Sequence, residues 1–232
     1  MECNDLYDYG LKIYQNPKYF KFSLDSILLG EFTELRRHDK ILDLCTGNAP
    51  IPMILTTKKK EISIDALEIQ EEIFELAKKS VTENELDNQI KVLNADARIY
   101  TSSEKYDTVL ANPPYFKVTQ NSQTNENEIK RNARHEMLLT LEEVIISAKK
   151  NLKENGTFYM VHRVDRLLDA IKILETQKFG IRKIAIINTK KGKDAEFFLM
   201  QASKYKKSDL KIKSYEVESL KTYKGIFKED SR

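Results

Sequence analysis

The sequence has no tryptophan, only three histidines, two cysteines and seven glycines among its 232 residues. The two cysteines, Cys3 and Cys45, are too few for a disulfide framework, so we expect a protein of the reducing cytoplasm. No apolar run approaches the roughly 20 residues that a membrane-spanning helix needs. The acidic and polar start Met1–Asp5 is unlike a secretory signal peptide. We therefore expect no membrane partner.

The composition is that of a folded domain with a substantial core. Hydrophobic residues make up 41% of the chain and charged residues 32%, and the length allows one large domain or one domain with a small extension. The net charge of +3 neither demands nor excludes a nucleic-acid partner, because a local basic patch can serve that purpose.

From residue 40 onward, short predicted strands alternate with predicted helices. Pro50 and Pro52 fit only the first turn of a helix, and Thr140 with Glu143 forms a capping box at the start of another. This alternation predicts an α/β fold with a doubly wound, mostly parallel sheet. The last two of its seven strands are joined without a helix and predict an antiparallel edge strand. The predicted strands are Lys40–Cys45, Ile62–Glu68, Gln89–Asn94, Tyr106–Ala111, Thr157–Val161, Lys183–Asn188 and Glu196–Ala202.

Polar residues stand at the ends of the first four predicted strands. The first strand runs into the tight turn Asp43–Ala49, and the second ends in Glu68, at a spacing suited to ribose hydroxyls. Asp96 and Asn112 follow the third and fourth strands. Open α/β sheets bind ligands at this edge, which favours a binding site built from all four. Two alternatives stay open, because Asp43 can simply cap a turn and Asp96 can be a helix N-cap.

The fourth strand ends in the tetrapeptide Asn112–Tyr115, which contains two consecutive prolines. The prolines fix the backbone and remove two N–H donors, so the strand must end there. The result is a rigid edge with hydrogen-bond acceptors and one aromatic ring, suited to a planar group that carries an amine, such as adenine. A proline-rich turn without function is the alternative interpretation.

Residues 40–115 resemble the class I S-adenosylmethionine-dependent methyltransferases, which have a Rossmann-like fold. The nucleotide loop of that family corresponds to Asp43–Ala49, its ribose acid to Glu68, its adenine-contacting acid to Asp96 and its amino-methylating motif to Asn112–Tyr115. The resemblance implies S-adenosylmethionine as the cofactor and no metal. It assigns cofactor contacts to Asp25, Asp43, Cys45, Gly47, Asn48, Glu68, Ile69, Asp96, Ala97 and Asn112.

The loop departs from the family in one respect. The family usually has three glycines there, whereas Cys45 and Ala49 replace two of them in this chain. Because both residues are small, we expect the loop still to close around the cofactor. A weaker affinity for the cofactor is one possible consequence of the two replacements.

Two flanking segments narrow the resemblance. Lys21–Leu29 and Arg131–Glu136 are similar to segments of bacterial tRNA1(Val) adenine-N6 methyltransferases, and the similarity covers most of residues 5–200. It implies methyl transfer to N6 of adenosine 37, next to the anticodon of a tRNA. An incidental, solvated loop remains an equal alternative for the basic residues of the second segment. The resemblance implies catalytic roles for Asn112, Pro113 and Tyr115, and substrate contacts from Pro114, Tyr115, Lys117, Arg131, Arg134 and His135.

Other functions share the tetrapeptide. Enzymes that methylate adenine or guanine in rRNA, adenine in DNA or N5 of glutamine side chains use it as well, and a non-catalytic RNA-binding protein could keep the fold. The glutamine enzymes typically have a helical N-terminal domain and the DNA enzymes a target-recognition domain, for which this chain has no spare length.

We expect a monomer or weak dimer with an N-terminal extension (1–38), a catalytic domain (39–203) and a basic tail (204–232) that belongs to the same domain.

Overall fold

The computed structural model describes residues 1–17, 24–114, 139–189, 192–205, 209–217 and 227, and an eight-stranded sheet forms its centre. Helices lie on both faces of this sheet, as the alternating pattern predicts. In chain order the elements are β1 (Glu2–Asp5), β2 (Lys12–Gln15), α1 (Leu24–Phe32), β3 (Lys40–Asp43), α2 (Pro50–Lys58), β4 (Ser63–Glu68), α3 (Glu71–Glu83), β5 (Ile90–Asn94), β6 (Tyr106–Ala111), α4 (Leu141–Asn151), β7 (Leu152–Arg163), α5 (Leu167–Thr176), β8 (Phe179–Asn188), β9 (Phe197–Lys204) and β10 (Lys211–Glu216).

The strand order of the sheet is β10-β8-β9-β7-β6-β3-β4-β5, and only β9 runs antiparallel to its neighbours. The mostly parallel, doubly wound sheet is thereby confirmed, with two differences. The described sheet has eight strands instead of seven, because Lys211–Glu216 pairs in parallel with β8. The antiparallel strand is not at an edge: α5 carries the chain one position beyond β7, and β9 returns into the gap between β7 and β8.

Apolar side chains divide into two clusters, one on each face of the sheet. The first cluster joins α1, α2 and α3 to the sheet, and the second joins α4 and α5 to the opposite face. Within the first cluster α1 and α2 approach very closely, because a Cβ atom added to Gly30 would lie 2.9 Å from Cγ2 of Ile54. This close contact fixes the position of α1, which carries two residues of the site described below.

Two helix starts predicted from the sequence are confirmed. Helix α2 begins at Pro50, and Thr140 and Glu143 form the reciprocal capping box at the start of α4. The predicted strand Thr157–Val161 is longer in the structure and occupies Leu152–Arg163. The polar loop predicted over Lys117–Glu136 lies outside the described residues.

The sequence pattern gave no sign of the N-terminal hairpin formed by β1 and β2. The hairpin packs on α3, where the Tyr14 N–H donates to Ser80 Oγ at 2.9 Å and the Lys12 N–H donates to Asn84 Oδ1 at 2.9 Å. It lies next to the turn that follows β3, since the Asn48 side chain donates to the Tyr14 carbonyl at 2.9 Å. In the described part of the chain, no helix combines the length and apolarity that crossing a membrane requires.

Candidate active site

The carboxyl ends of β5, β4, β3 and β6 lie side by side at one edge of the sheet. Asp43 of β3 pairs in register with Ala66 of β4 on one side and with Leu110 of β6 on the other. At the next boundary, Glu68 pairs with Asn94. The turn after β3, the acid at the end of β4, the acid after β5 and the amide after β6 are therefore brought to the same edge.

The turn Asp43–Ala49 keeps a tight conformation with only one glycine. Gly47 has φ 56°, in the left-handed region that favours glycine. Ala49 has φ 67° in the same region, which costs a residue with a Cβ about 1–2 kcal/mol. Cys45 does not adopt a positive φ, so a side chain is accommodated there without such strain. Of the two glycine replacements, only that at Ala49 strains the backbone.

Glu68 ties the end of β4 to this turn. Its carboxylate is almost buried, with 7% of the residue exposed. One oxygen accepts the Gly47 N–H at 3.0 Å, and the other accepts the Gln70 N–H at 2.9 Å. Burial raises the pKa of Glu68, while the hydrogen bonds from Gln70 and Gly47 oppose that rise. The acid is thus held in a fixed orientation beside a glycine that has no side chain to cover it.

Asp43 is fully buried, and neither of its carboxyl oxygens has a well-formed hydrogen bond among the described residues. The Thr46 hydroxyl is also buried and has no hydrogen-bond partner within the described part of the chain. Burial raises the pKa of Asp43 to about 7, and the charge of Glu68 adds to that rise. The Thr46 hydroxyl and the Cys45 N–H lower the pKa but lie outside hydrogen-bonding geometry. Among the described residues no well-formed hydrogen bond from the turn reaches Asp43, and contact of Asp43 with a ligand stays a prediction.

Negative charge converges on Cys45 in the middle of the turn. The pKa of its thiol is raised well above the usual value, first by burial and then by the charges of Asp43, Glu68 and Asp96. The thiol therefore stays protonated and neutral. The three carboxyl groups at the ends of β3, β4 and β5 therefore lie close enough together to act on one atom, an arrangement that favours a ligand with positive charge.

Asp96 is paired with Arg98, whose Nε and Nη2 lie 2.9 Å and 2.6 Å from Oδ2. This pairing lowers the pKa of Asp96, so the carboxylate is ionised. The interpretation of Asp96 as a helix N-cap is wrong: its carbonyl accepts the N–H groups of Ile99 and Tyr100 in a turn that no helix follows.

Asn112 lies at the end of β6 against the first turn of α1. Its Nδ2 donates to Ser26 Oγ at 2.9 Å, and the Ser26 N–H donates to Asp25 Oδ1 at 2.7 Å. Asp25 and Ser26 are buried, Pro113 is buried and Pro114 is exposed. The structure thus brings Asp25 and Asn112 to one place, and Ser26, which the sequence interpretation missed, connects them.

The remaining predicted contacts differ in their surroundings. Ile69 follows β4 with 39% of the residue exposed, and it offers an apolar surface beside Glu68. Ala97 is buried, and the Asn48 side chain is used to hold the Tyr14 carbonyl. Asn94, another residue that the sequence interpretation missed, donates to the carbonyls of Glu68 and Ile69 at 3.2 Å and 3.3 Å. The predicted residues Tyr115, Lys117, Arg131, Arg134 and His135 lie outside the described residues.

The described residues include no cluster of three or more histidine, cysteine, aspartate or glutamate side chains that could hold a metal ion. The site is instead a set of carboxyl, amide and backbone groups around an open glycine turn.

Comparisons with known proteins agree with this architecture. Residues 24–191 match the family model described as the methyltransferase small domain. The chain is 31% identical over 175 residues to a tRNA1(Val) (adenine(37)-N6)-methyltransferase of Bacteroides thetaiotaomicron, covering 74% of this chain and 72% of that protein. A protein of the same name from Actinobacillus pleuropneumoniae is 27% identical over 184 residues, covering 79% and 76%.

Among solved structures, a predicted O-methyltransferase from Agrobacterium tumefaciens superposes with a TM-score of 0.67 over 88% of this chain and 96% of that one. At 20% sequence identity, this likeness concerns the fold. The family model spans most of the described sheet and every strand end of the site. The chain therefore belongs to the methyltransferase small domain family.

Proposed function

We propose that this protein transfers a methyl group from S-adenosylmethionine to the exocyclic N6 of an adenine in tRNA, namely adenosine 37 of tRNA1(Val). The observation that carries the proposal is the placement of Asn112 and Pro113 at the end of β6, beside the turn after β3 and the first turn of α1. The tRNA substrate is supported by the names of the relatives that match over about three quarters of the chain.

The described residues fit the cofactor. S-adenosylmethionine supplies a methyl group on a positively charged sulfur, which an electronegative site favours. Glu68 would accept the ribose hydroxyls, and Ile69, which is exposed beside it, would pack on the adenine ring. Asp43, whose buried oxygens lack hydrogen bonds in the described structure, would pair with a cationic group of the methionine end together with Asp25. Asp96 keeps acceptor capacity for the adenine amine although Arg98 occupies part of it.

Methyl transfer to an amine does not require a strong general acid or base in the protein. The exocyclic amine of adenine is a poor nucleophile because its lone pair is delocalised into the ring. Asn112 Oδ1 and the Pro113 carbonyl would accept the two amine hydrogens, shifting the nitrogen toward tetrahedral geometry and exposing its lone pair. The site then has to hold the amine at near-attack distance from the methyl group. Formation of the bond between nitrogen and the methyl carbon would break the methyl–sulfur bond and leave neutral S-adenosylhomocysteine, and the surplus amine proton would pass to water.

The base must also leave its stack in the anticodon loop, at a cost of a few kcal/mol. Tyr115 would stack on the extruded base next to Pro114, a contact worth roughly 1–3 kcal/mol in nucleic-acid sites. Lys117, Arg131, Arg134 and His135 would contact the tRNA backbone and help to offset the extrusion. These roles follow from the family resemblance.

We further propose that the N-terminal extension (1–38) and the tail (204–232) belong to the catalytic unit of a cytoplasmic monomer or weak dimer. The hairpin β1–β2 packs on α3, β10 extends the sheet beyond β8, and Phe227 packs against Phe32 at a ring-centroid distance of 5.2 Å.

The first test measures methyl transfer from labelled cofactor into unmodified tRNA, total RNA, DNA and protein, followed by nucleoside analysis. We expect N6-methyladenosine in tRNA from the wild type and none from Asn112→Ala, whose cofactor affinity should stay within about threefold of the wild type. Label in DNA or in glutamine would replace the proposed substrate. Full activity of Asn112→Ala would refute the role of the amide. Absence of cofactor binding would instead favour a non-catalytic RNA-binding protein.

The second test concerns cofactor binding alone. Glu68→Ala removes the acceptor for ribose hydroxyls and the partner of the Gly47 N–H. Because hydrogen bonds to a charged group contribute about 1.5–3 kcal/mol, we expect affinity to fall about 10- to 100-fold by titration calorimetry. An unchanged affinity would show that Glu68 does not bind the ribose.

A further inference from the structure

Ser26 is a buried polar residue to which the sequence analysis assigns no role. It lies in the first turn of α1 with 6% of its surface exposed. Its hydroxyl accepts Asn112 Nδ2 at 2.9 Å, although 86 positions separate the two residues in the chain. Its backbone N–H donates to Asp25 Oδ1 at 2.7 Å. Ser26 is thus in direct contact with both the amide at the end of β6 and the acid assigned to the cofactor.

The contact restricts how the Asn112 amide can rotate. Rotation about the terminal bond of an asparagine side chain is broad and is limited mainly by hydrogen bonds. Because Oδ1 and Nδ2 lie at opposite edges of the planar amide, Oδ1 faces away from Ser26 when Nδ2 donates to its hydroxyl. An acceptor held in place in advance does not have to reorganise when the amine arrives, and small misplacements of reacting groups reduce rates strongly.

The helix that carries Ser26 is itself held firmly. Gly30 lets α1 approach Ile54 of α2 closely, as described above. At the other end of α1, the Lys58 ammonium donates to the carbonyls of Gly30, Glu31 and Thr33 at 2.9, 2.8 and 2.7 Å. These bonds satisfy acceptors that the end of a helix leaves open. Ser26 therefore presents its hydroxyl from a fixed element.

We propose that Ser26 is a positioning residue for methyl transfer, whose hydroxyl holds the Asn112 carboxamide in the orientation that accepts the target amine. The proposal rests on the proposed function for its kinetic consequence. Its structural part, the restraint of Asn112, stands on the contact itself and is tested without RNA.

The structural test is nuclear magnetic resonance of the 15N-labelled whole protein. The side-chain NH2 signals of Asn112, assigned with an Asn112→Asp variant, should shift in Ser26→Ala and show a lower order parameter. The side-chain NH2 of Asn48, which donates to the Tyr14 carbonyl, is the internal control and should not change. Unchanged Asn112 signals in Ser26→Ala would overturn the proposal.

The kinetic test compares single-turnover methyl transfer to unmodified tRNA. Ser26→Ala should react about tenfold more slowly, as loss of one hydrogen bond of about 1.4 kcal/mol predicts, while the dissociation constant of S-adenosylmethionine stays within about twofold. Ser26→Thr keeps the hydroxyl and should restore the rate to within about threefold. Thr33→Val is the matched control: it removes another buried hydroxyl of this region, which donates to the Leu29 carbonyl at 2.7 Å, and should keep the wild-type rate.

The outcomes separate the two proposals. A wild-type rate for Ser26→Ala on tRNA would overturn the positioning role and leave the proposed function intact. A wild type that methylates no tRNA, with Asn112 signals that shift in Ser26→Ala, would overturn the proposed substrate and support Ser26 as the residue that restrains Asn112.

Discussion

Asp43→Asn is expected to stabilise the cofactor-free protein at neutral and alkaline pH. The carboxyl group is fully buried and has no well-formed hydrogen bond to any residue that the structure describes. Its pKa of about 7 exceeds the value of about 3.9 for an unfolded chain. Between these two values the folded state binds more protons than the unfolded state. Stability is therefore lost as the pH rises through this window, and the loss is complete above pH 7.

The magnitude follows from the difference of about 3 pKa units, which corresponds to about 4 kcal/mol. Part of that loss is already present at pH 5, because the unfolded carboxyl group is mostly ionised there. Between pH 5 and pH 8, the wild type should therefore lose about 2–3 kcal/mol relative to Asp43→Asn. The comparison across pH isolates ionisation, because packing differences between Asp and Asn are the same at both values.

Urea unfolding of the cofactor-free protein at pH 5 and pH 8, at constant ionic strength, measures this difference. Asp209→Asn, at an exposed position before β10, is the matched control and should follow the wild-type profile. Parallel profiles of the wild type and Asp43→Asn would refute the argument, because they would show that Asp43 does not ionise against burial. Under the proposed function, Asp43→Asn should also bind S-adenosylmethionine about 10- to 100-fold more weakly at pH 8, since a charged hydrogen bond is lost.

Two further perturbations test the packing around the site. His162 is 8% exposed and stacks on Phe198. Its pKa is lowered to about 4, chiefly by burial, so between about pH 4 and 6.5 the unfolded state binds more protons than the folded state. The free energy of unfolding should therefore fall by about 3 kcal/mol as the pH drops from 6.5 to 4, and in urea unfolding His162→Gln should show a smaller fall. An equal fall in the wild type and in His162→Gln would refute the lowered pKa of His162. Gly30→Ala would place a Cβ 2.9 Å from Ile54 Cγ2, so we expect a loss of about 1–2 kcal/mol after the gain in helix propensity. An unchanged melting temperature would show that α1 can move away from α2.

Local sequence patterns were sufficient to predict most strands of the sheet and the edge of the sheet at which the site lies. The strand ends at Asp43, Glu68, Asp96 and Asn112 could be placed from the sequence, because parallel strands joined by helices must end at the same edge. The order of the strands beyond β7 could not be predicted from the sequence. The place of β9 depends on where α5 delivers β8, and that is decided by packing across the sheet.

The side-chain partners within the site could not be predicted from the sequence, because they come from segments that are distant in the chain. The partner of Asn112 is a serine 86 positions earlier, and nothing in the local pattern of α1 points to it. The use of Asn48 to hold the hairpin likewise depends on an unpredicted pair of strands. A pattern gives the residue type at a strand end, whereas the direction of its side chain depends on neighbours that fold from elsewhere.

The turn after β3 combines two unfavourable features in a few residues. Ala49 holds a left-handed conformation at a cost of about 1–2 kcal/mol, and Asp43 is buried with a strongly raised pKa. A fold selected for stability alone would replace both, since glycine and asparagine relieve the two costs without new contacts. Strain and unsatisfied charge persist in proteins where a ligand compensates them. A positively charged cofactor would neutralise Asp43, so the same turn that destabilises the free protein favours the bound state. Under the proposed function, the two missing glycines are compatible with a working cofactor loop, because the charge of ionised Asp43 would attract the cofactor and the strain at Ala49 is only about 1–2 kcal/mol.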